Sequence, residues 1–414
     1  MRRADRGRHR PPRRRLGTRR AIAACASAAV LLPLTVVGVR AVQARAVAGL
    51  LEYTQWLRRG GVQGFVGEVG WPAGTDSAAW GAVAETWYRA ADAAHLPVTA
   101  WAAGRWRASY PMAVYRAAGA AGALDRAGPQ AEVVERHGTR AGTPRGVALA
   151  TGAFGLDEPG NAGPAAPDRY GFDYTYDTTT SYAYLASRGV RVVRLAVAWE
   201  RVQPVPFGPL DPTQVRYLQQ VLRWAEQLGL VVVLDLHGYG DRPVPNGTRV
   251  RNARLGSGAL PVGAFADVWR RLGVLVADRH VVVGYGLLNE PVRLAATGSA
   301  GARLWERASQ AAVDAVRGAG ARGTVLISAY GSTSPVGWPH LHRNPWIHDP
   351  AGDLAYEAHA YFDADGSGHY ARPYSAELAA ASASTSAAPM PRPTSGACVR
   401  LAPIPDPTLR RWIP

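Results

Sequence analysis

The sequence predicts an α/β fold, a (β/α)8 barrel. Eight short apolar runs alternate with longer amphipathic stretches, and the runs are near-continuously hydrophobic, as parallel strands buried on both faces are. The predicted strands are Gly64–Gly70, Pro97–Ala102, Gly146–Ala153, Val190–Trp199, Leu230–His237, Val281–Asn289, Thr324–Tyr330 and Leu354–Tyr361. Eight such repeats fit a closed barrel. A doubly wound open sheet is the alternative, but no glycine-rich phosphate loop follows the first strand.

Helices are predicted between the strands because apolar residues recur there at spacings of three and four. Their apolar stripes consist of Trp80, Val83, Ala84 and Trp87; of Val215, Leu218, Val221, Leu222 and Ala225; of Phe265, Val268, Trp269, Leu272 and Val276; and of Leu304, Ala308, Ala311, Ala312 and Ala315. The second stripe follows Asp211-Pro212, a pair that suits a helix N-cap and first turn.

The N-terminal segment, residues 1–46, is predicted to be a signal peptide or a membrane anchor. Residues 1–20 hold ten Arg and one Asp, a charge of +9 (10 − 1) out of the chain's +16, and residues 21–39 carry no charge. A basic region before an apolar run is typical of export, with the basic end left in the cytoplasm. Cleavage after Ala46 and an uncut anchor both remain open. We therefore expect a barrel that is secreted or held outside the membrane.

The rest of the chain excludes several classes of protein. The remaining positive charge forms no basic stripe, so we expect no nucleic-acid partner. Cys25 and Cys398 would lie in different compartments, which excludes a disulfide and a cysteine-based metal site. The barrel is predicted over residues 47–372, with a long connection rich in Ala, Gly and Arg at 107–144. Residues 373–414 have the low-complexity composition of a disordered tail.

Polar side chains stand near the carboxyl ends of the predicted strands, where barrels of this type carry their chemistry. These candidates are Glu68, Trp101, Arg194, Asp235, His237, Asn289, Glu290, His359 and Tyr361. Taken alone, each has a structural explanation, such as an ion pair between Arg194 and Asp235, a satisfied core histidine, or tryptophan packing. Their combination is harder to explain in that way and points to a functional site.

These positions together resemble glycoside hydrolase family 5, the cellulase family. That family places an Arg after its second strand, a His after the third, Asn-Glu-Pro after the fourth, His-x-Tyr after the sixth, a glutamate between glycines after the seventh, and a Trp after the eighth. The matching residues are Arg194, His237, Asn289-Glu290-Pro291, His359 with Tyr361, Gly67-Glu68-Val69-Gly70 and Trp101. The stretch VRLAVAWERVQP at 193–204 is also similar to the family's second strand, and the resemblance covers most of residues 47–363.

Two departures from the family pattern matter. Gly238 stands where the family usually has Asn. The order is also rotated, because the strands that end in Glu68 and Trp101 come first instead of seventh and eighth. The resemblance therefore implies a circularly permuted barrel, in which residues 107–144 join the old termini. A closed barrel tolerates such a cut, since neighbouring strands remain neighbours.

The resemblance implies hydrolysis of a β-linked glucan- or mannan-type glycan with retention of configuration, by double displacement. Glu290 would be the acid/base and Glu68 the nucleophile, with carboxyl groups roughly 5–5.5 Å apart. Arg194 and Tyr361 would hold Glu68, and Asn289 would bind the sugar 2-hydroxyl. His237 and His359 would position the substrate and the two carboxylates. Trp101 would stack on the sugar at subsite −1. No cofactor or metal is implied. We expect a monomeric protein whose partner is the β-glycan substrate.

The alternative function is a non-catalytic glycan-binding or cell-wall-associated barrel, in which the permutation has spoiled the site. The presence of both glutamates argues against it. The glycan, its linkage, and endo or exo action remain open. Further aromatic residues in predicted loops are candidates for sugar stacking. They are Trp71, Trp106, Trp199, Tyr239, Trp338 and Trp346.

Overall fold

A computed structural model describes residues 18–118, 122–139, 143–154, 169–247, 249–335 and 337–387, with side chains described from residue 38 to residue 381 of these ranges. The strands are β1 (Gln63–Gly70), β2 (Val98–Gly104), β3 (Tyr115–Ala117), β4 (Leu124–Ala127), β5 (Arg145–Leu149), β6 (Val192–Val197), β7 (Val231–Leu236), β8 (Asp241–Asn246), β9 (Arg249–Arg254), β10 (Val282–Gly286), β11 (Thr324–Ser328) and β12 (Leu354–Tyr361). The helices are α1 (Thr18–Gly60), α2 (Ser77–Ala93), α3 (Ala131–Arg136), α4 (Thr179–Ser187), α5 (Trp199–Val202), α6 (Pro212–Gln227), α7 (Val262–Val276), α8 (Gly298–Gly318), α9 (Trp338–Leu341) and α10 (Tyr374–Ala387).

Eight of these strands form a closed parallel barrel. Its order is β1, β2, β5, β6, β7, β10, β11 and β12, and β12 pairs with β1 to complete the ring. The predicted (β/α)8 barrel is thereby confirmed. The open sheet is excluded because β1 has a parallel neighbour on both edges.

The predicted helical stripes lie against the outside of the barrel. Trp80, Val83, Ala84 and Trp87 of α2 are buried, as are the five stripe residues of α7. Asp211 caps α6 as predicted, because its carboxylate accepts hydrogen bonds from the backbone N–H groups of Thr213 and Gln214 at 2.8 and 2.9 Å. These apolar faces build the main core between the sheet and the helices.

The interior of the barrel has an apolar layer and a charged layer. Phe65, Val192, Val233, Leu326 and Ala355 are among the residues of the apolar layer, towards the beginning of the strands. Side chains two apart on a strand share a face. On β12 this alternation places Glu357, His359 and Tyr361 on the same face as Ala355, one layer after another towards the strand's end. The charged layer thus lies directly above the apolar one.

A β-bulge in β1 turns Glu68 towards the interior. The register pairs Phe65 with Glu357 and then Glu68 with His359, so β1 uses three steps where β12 uses two. In a regular strand Phe65 and Glu68 would point to opposite faces. The extra residue at the bulge restores a common face for the two side chains.

Two connections are more structured than the sequence suggests. Residues 107–144, expected as a long connection only, contain β3, β4 and α3, with β3 and β4 antiparallel and β3 parallel to the end of β2. The connection after β7 contains the antiparallel hairpin β8–β9, which was not predicted.

The predicted boundary between the barrel and a disordered tail is wrong for residues 374–387. They form α10, which packs on α1. Arg45 of α1 forms an ion pair of 2.8 Å with the buried Glu377 and donates to the carbonyl of Phe362. The run of alanines in this segment explains the helix, since Ala has the highest helix propensity. Residues 388–414 lie outside the described residues, with Cys398.

Residues 1–17 of the predicted signal or anchor lie outside the described residues. Residues 18–46 belong to α1, but their side chains are described only from residue 38, so the thiol of Cys25 is not among them. Within the part of the chain that the structure describes, no helix has the length and apolarity needed to cross a bilayer. Helix α1 runs without a break through the predicted cleavage position after Ala46. On either side of it, Val42 and Leu50 are fully buried in the core.

Candidate active site

Glu68 lies at the inner rim of the barrel and is held by two donors. The guanidinium of Arg194 lies 3.2 Å from its Oε1, and the hydroxyl of Tyr361 donates to its Oε2 at 2.6 Å. Burial, followed by the charges of Glu68 and Glu290, raises the pKa of Tyr361 well above 10, so its hydroxyl stays protonated as a donor.

The glycines around Glu68 make room for its neighbours. A Cβ on Gly67 would lie 1.7 Å from Oε1 of Glu357, and a Cβ on Gly70 would lie 2.8 Å from the ring of Tyr361. Both are contacts that a real side chain could not make without displacing its neighbour. The Gly-Glu-Val-Gly segment is therefore required by close packing around the glutamate.

Glu290 faces Glu68 across the rim. It follows β10 in a loop, where its backbone N–H donates to the carbonyl of Gly238 at 3.1 Å. Its side chain is 18% exposed, against 3% for Glu68, so Glu290 is the one that solvent reaches more readily. One carboxylate oxygen of each glutamate lies within 4.8 Å of the other. Two carboxylates at this spacing leave room for one reacting atom between them.

Arg194 organises the interior side of the site. Its guanidinium forms ion pairs with Asp235 at 3.0 Å and Glu357 at 2.9 Å, and donates to Oδ1 of Asn289 at 2.8 Å. Burial alone would lower the pKa of Arg194, but the charges of Asp235, Glu357 and Glu68 outweigh burial and raise it. Arg194 is fully buried, so these contacts fix the position of its positive charge.

His359 bridges the two glutamates. Its Nδ1 lies 2.9 Å from Glu290 and 3.5 Å from Glu68, while its Nε2 lies 3.4 Å from Glu357. Burial acts to lower the pKa of His359, but the carboxylates Glu68, Glu290 and Glu357 outweigh it and raise that pKa to about 10. With a carboxylate at each nitrogen, the ring is held as an imidazolium at neutral pH.

His237 and Trp101 form the other wall of the site. Nδ1 of His237 lies 2.7 Å from Asp235, whose pKa is lowered because Arg194 and His237 outweigh the effect of its burial. The imidazole stacks on the indole of Trp101, with ring centres 5.4 Å apart and planes 15° from parallel. Trp101 is only 6% exposed, and its indole N–H donates to the hydroxyl of Tyr110 at 2.7 Å. A cis peptide bond follows Trp101.

The structure thus brings together all nine candidate residues named from the sequence, and it adds two that the sequence analysis missed. Glu357 contacts both Arg194 and His359, and its position two residues before His359 on a strand was a usable signal. Tyr110 lies in the loop after β2 and stacks on Trp106 at 4.3 Å. Nothing in its sequence context distinguished Tyr110 from other loop residues.

Most of the additional aromatic candidates are packed against other side chains and do not face the site. Trp71 and Trp338 are 2% and 0% exposed within the main core, and Trp199 is buried beneath the guanidinium of Arg242. Tyr239 is half-buried next to the site, and the guanidinium of Arg293 lies over its ring. At Gly238 an added Cβ would meet Leu288 at 3.6 Å and, apart from its chain neighbours, no other heavy atom of the described residues within 4 Å, so the backbone there tolerates a side chain.

A cation could in principle be shared by Glu68, Glu290 and His359, because one ligand atom from each lies within 4.8 Å of the others. An imidazolium has no lone pair to offer a metal ion. Since these carboxylates hold His359 in that form, the three groups satisfy one another as an ion-paired cluster.

Comparison with known proteins identifies the family. Residues 156–389, more than half of the chain, match the sequence model of the cellulases, glycosyl hydrolase family 5. The chain belongs to glycosyl hydrolase family 5. The family 5 match contains Arg194, His237, Asn289-Glu290, His359 and Tyr361, whereas Glu68 and Trp101 lie before it in the chain.

Several endoglucanases are similar to this family 5 chain. It is 29% identical to Endoglucanase 1 of Saitozyma flava over 55% of this chain and 62% of that protein, and 27% identical to Endoglucanase gh5-1 of Neurospora crassa over 52% of each. The chain thus spans about half to three fifths of these curated relatives. The structure of Pseudomonas stutzeri endoglucanase Cel5A in complex with cellobiose is 34% identical, over 56% of this chain and 64% of that one, with a TM-score of 0.47.

Proposed function

We propose that this protein is a retaining glycoside hydrolase that cleaves β-1,4-glucan by double displacement. The observation that carries the proposal is the pair of glutamates with carboxylate oxygens within 4.8 Å of each other. Retaining enzymes place their two carboxyl groups about 5–5.5 Å apart, whereas inverting enzymes leave about 6.5–9.5 Å for a water molecule. An approach of two carboxylate oxygens to within 4.8 Å is compatible with the shorter, retaining separation and supports direct attack by one glutamate.

In the first step, Glu290 gives its proton to the glycosidic oxygen as the bond from that oxygen to the anomeric carbon breaks. A carboxylate oxygen of Glu68 forms a bond to the same carbon. In the second step, a water molecule attacks the carbon and passes its proton to Glu290, and the bond to Glu68 breaks. Glu290 suits the acid/base role because its side chain is the more exposed of the two, so water can reach it.

The surrounding residues support these steps. Arg194 and Tyr361 orient the carboxylate of Glu68 through contacts of 3.2 and 2.6 Å. Because the oxygen of Asn289 accepts from Arg194, its amide nitrogen is the group left to donate to the sugar 2-hydroxyl. His237 and Trp101 stack together as a wall against which the sugar at subsite −1 would lie.

The proposed substrate rests on the relatives. Their printed names describe endoglucanases and endo-β-1,4-glucanases, and one structure of a similar protein contains cellopentaose. The similarity to these proteins supports the same class of linkage for this chain. Mannan-type glycans are the comparison substrates for the test.

The test is to follow the anomeric configuration of the first product from cellopentaose by NMR. We expect the β-anomer first, which is retention. Glu68→Gln and Glu290→Gln should each lower kcat by about a thousandfold or more, because each removes a group that acts on the reacting atoms. Glu226→Gln, an exposed position on α6, is the control and should leave kcat unchanged.

An α-anomer as first product would contradict the double displacement. Full turnover by either site variant would contradict the assigned roles. Binding of cellopentaose without any hydrolysis by the wild-type protein would favour the non-catalytic glycan-binding alternative.

We also propose that the barrel is circularly permuted relative to its family. Read from β5, the ring presents Arg194 on the second strand, His237 after the third, Asn289-Glu290 after the fourth, and Glu68 and Trp101 on the seventh and eighth. This cyclic order is supported by the ring of strand pairs. It also accounts for a family match that begins only at residue 156, since a linear alignment cannot include segments that are out of order.

For localisation, we propose that the barrel is exported and remains attached to its N-terminal segment. Val42 and Arg45 support this proposal, because both belong to the packed part of α1 and precede the predicted cleavage position. Cleavage after Ala46 would remove one fully buried side chain and the cation that pairs with the buried Glu377. N-terminal sequencing of the exported protein is the test, and a mature chain starting at Val47 would contradict it.

A further inference from the structure

Glu357 is a buried carboxylate for which the proposed reaction has no step. It lies on β12, is 0% exposed, and faces the barrel interior one layer below His359. The bulge at Gly67 provides its space, since a Cβ at that position would overlap Oε1 of Glu357. The site is therefore built around this carboxylate.

Among the described residues, the carboxylate of Glu357 has polar contacts with the two cations of the site and no others. Its Oε1 lies 2.9 Å from the guanidinium of Arg194 and 3.4 Å from Nε2 of His359. Its Oε2 is buried without a hydrogen-bond partner among the described residues. Removing a carboxylate from water and leaving one oxygen unpaired costs free energy, so stability alone does not explain a glutamate here.

Neutralising Arg194 does not explain it either. That guanidinium already faces Asp235 at 3.0 Å and Glu68 at 3.2 Å. His359 has no other partner at its Nε2 among the described contacts. What Glu357 adds is therefore an acceptor at the far nitrogen of His359.

We propose that Glu357 is a positioning residue that holds His359 as an imidazolium, with Nδ1–H directed at Glu290 and Glu68. This rests on the proposed function, because it assigns the two glutamates to the reaction. An acceptor at Nε2 fixes the orientation of the ring, as the partner of a histidine's second nitrogen does in other sites. Glu357 thereby connects Arg194 and His359, the two positive groups that contact the reacting carboxylates.

The charged groups facing His359 come from several strands. They are Glu68 of β1, Glu290 after β10, Glu357 of β12 and, at longer range, Asp235 of β7. An opposite charge within about 4–6 Å typically moves a pKa by 1–3 units. Because the pKa of His359 is raised to about 10, removal of one of these charges should lower it, and the imidazolium should be lost at a lower pH.

The test compares Glu357→Gln and Glu357→Asp with the wild-type protein. Glu357→Gln keeps the size and an acceptor but removes the charge. We expect the pKa of His359, followed by NMR of its imidazole, to fall by about one unit or more. At pH values above the lowered pKa of His359, kcat of Glu357→Gln should fall below that of the wild-type protein, with KM changed less than about threefold. Glu357→Asp keeps the charge and should restore much of the His359 pKa.

Glu306→Gln is the matched control. It removes the carboxylate 2.9 Å from Nδ1 of His342, on the outside of the barrel. It should change neither the pKa of His359 nor the pH profile of kcat. An unchanged His359 pKa in Glu357→Gln, or equal losses in the Gln and Asp variants, would overturn the proposal.

The imidazole titration needs no substrate, so it separates this proposal from the proposed function. If the wild-type protein hydrolyses no β-glucan, the proposed reaction fails whatever the titration gives. If the wild-type protein is active and retaining but Glu357→Gln leaves the titration of His359 unchanged, only the role of Glu357 fails. Thermal unfolding of each variant shows whether the variant is still folded, so that a loss of activity can be told apart from a loss of structure.

Discussion

Gly67 is the residue on which the geometry of the site most depends. It provides the bulge that turns Glu68 inward, and it leaves the space that the carboxylate of Glu357 fills. A bulge can also hold a residue with a side chain, but the space for the carboxylate of Glu357 exists only because Gly67 has none. The glycine therefore connects the backbone of β1 to the charged layer of the barrel.

Gly67→Ala should destabilise the protein and reduce its activity. The new Cβ would lie 1.7 Å from Oε1 of Glu357, so either the strand or the carboxylate must move. Overpacking of this kind typically costs about 1–3 kcal/mol. Gly81→Ala is the control, because that glycine lies inside α2 with no heavy atom within 4 Å of an added Cβ. The Gly81→Ala substitution should leave the free energy of unfolding unchanged or increase it. Thermal unfolding and kcat measure both, and an unaffected Gly67→Ala would contradict the packing argument.

For individual residues, the sequence predicted which side chains lie together in the site, but not the backbone geometry that brings them there. Glu68 was placed at a strand end by resemblance to a family, and simple alternation from Phe65 would have pointed it away from the interior. A bulge of one residue leaves no clear mark in a sequence. Glu357 was missed although it lies two residues before His359, because its closer partner, Arg194, comes from the distant strand β6.

The elements were predicted where hydrophobic pattern determines them. The eight barrel strands and the helices with apolar stripes are all present, because burial on one or both faces imposes their periodicity. Some strand ends were predicted too long: Val281–Asn289 is β10 only as far as Gly286, and the remaining residues form the loop that carries Glu290. Functional loops continue the apolar composition of the strands they follow, so composition does not reveal their boundary.

Helix α10 was missed for the opposite reason. Its sequence of Ala and Ser has little amphipathic pattern, and its stability depends on contact with α1. The ion pair between Arg45 and Glu377 is the most specific of these contacts. Elements of this kind become evident only when their partner is in place.

The ion pair predicts a measurable coupling between α1 and α10. In a double-mutant cycle of Arg45→Ala and Glu377→Ala, we expect a coupling energy of roughly 0.5–3 kcal/mol in unfolding, because Glu377 is almost fully buried. The same cycle on Arg89 and Glu85, where the arginine is 73% exposed, is the control and should give about 0.5 kcal/mol or less. Equal couplings for the two pairs would show that the ion pair between Arg45 and Glu377 contributes no more than an exposed one.

The whole molecule has a ring of strands in which no position is first. Each barrel strand pairs with two neighbours, so the ring itself does not record where the chain begins. The site needs only that Glu68, Arg194, Glu290 and His359 reach the same rim. A rotated order therefore leaves the chemistry intact, provided that the helices at the seam, α1 and α10, still cover β12 and β1.

This reasoning predicts that the chain can be re-cut into its family's order. The re-cut chain would start at residue 143, connect residue 387 to residue 38 through a Gly/Ser linker of about ten residues, which spans roughly 17 Å on average, and end at residue 139. We expect it to retain the kcat of the original and a Tm within a few degrees. Its sequence should also align with family 5 beyond the present match at 156–389, to include Glu68 and Trp101.

A second re-cut chain serves as the control, opened after Gly247, where β8 has ended, and closed with the same linker. It tests the linker without restoring the family order, so it should fold but gain no longer alignment. If the control folds and the family-order chain does not, the connection at 107–144 has a structural role that a simple joint would not have. If the family-order chain folds but its sequence aligns no further, because the segments carrying Glu68 and Trp101 do not fit the seventh and eighth strands, then descent by permutation is wrong even though the barrel tolerates the cut.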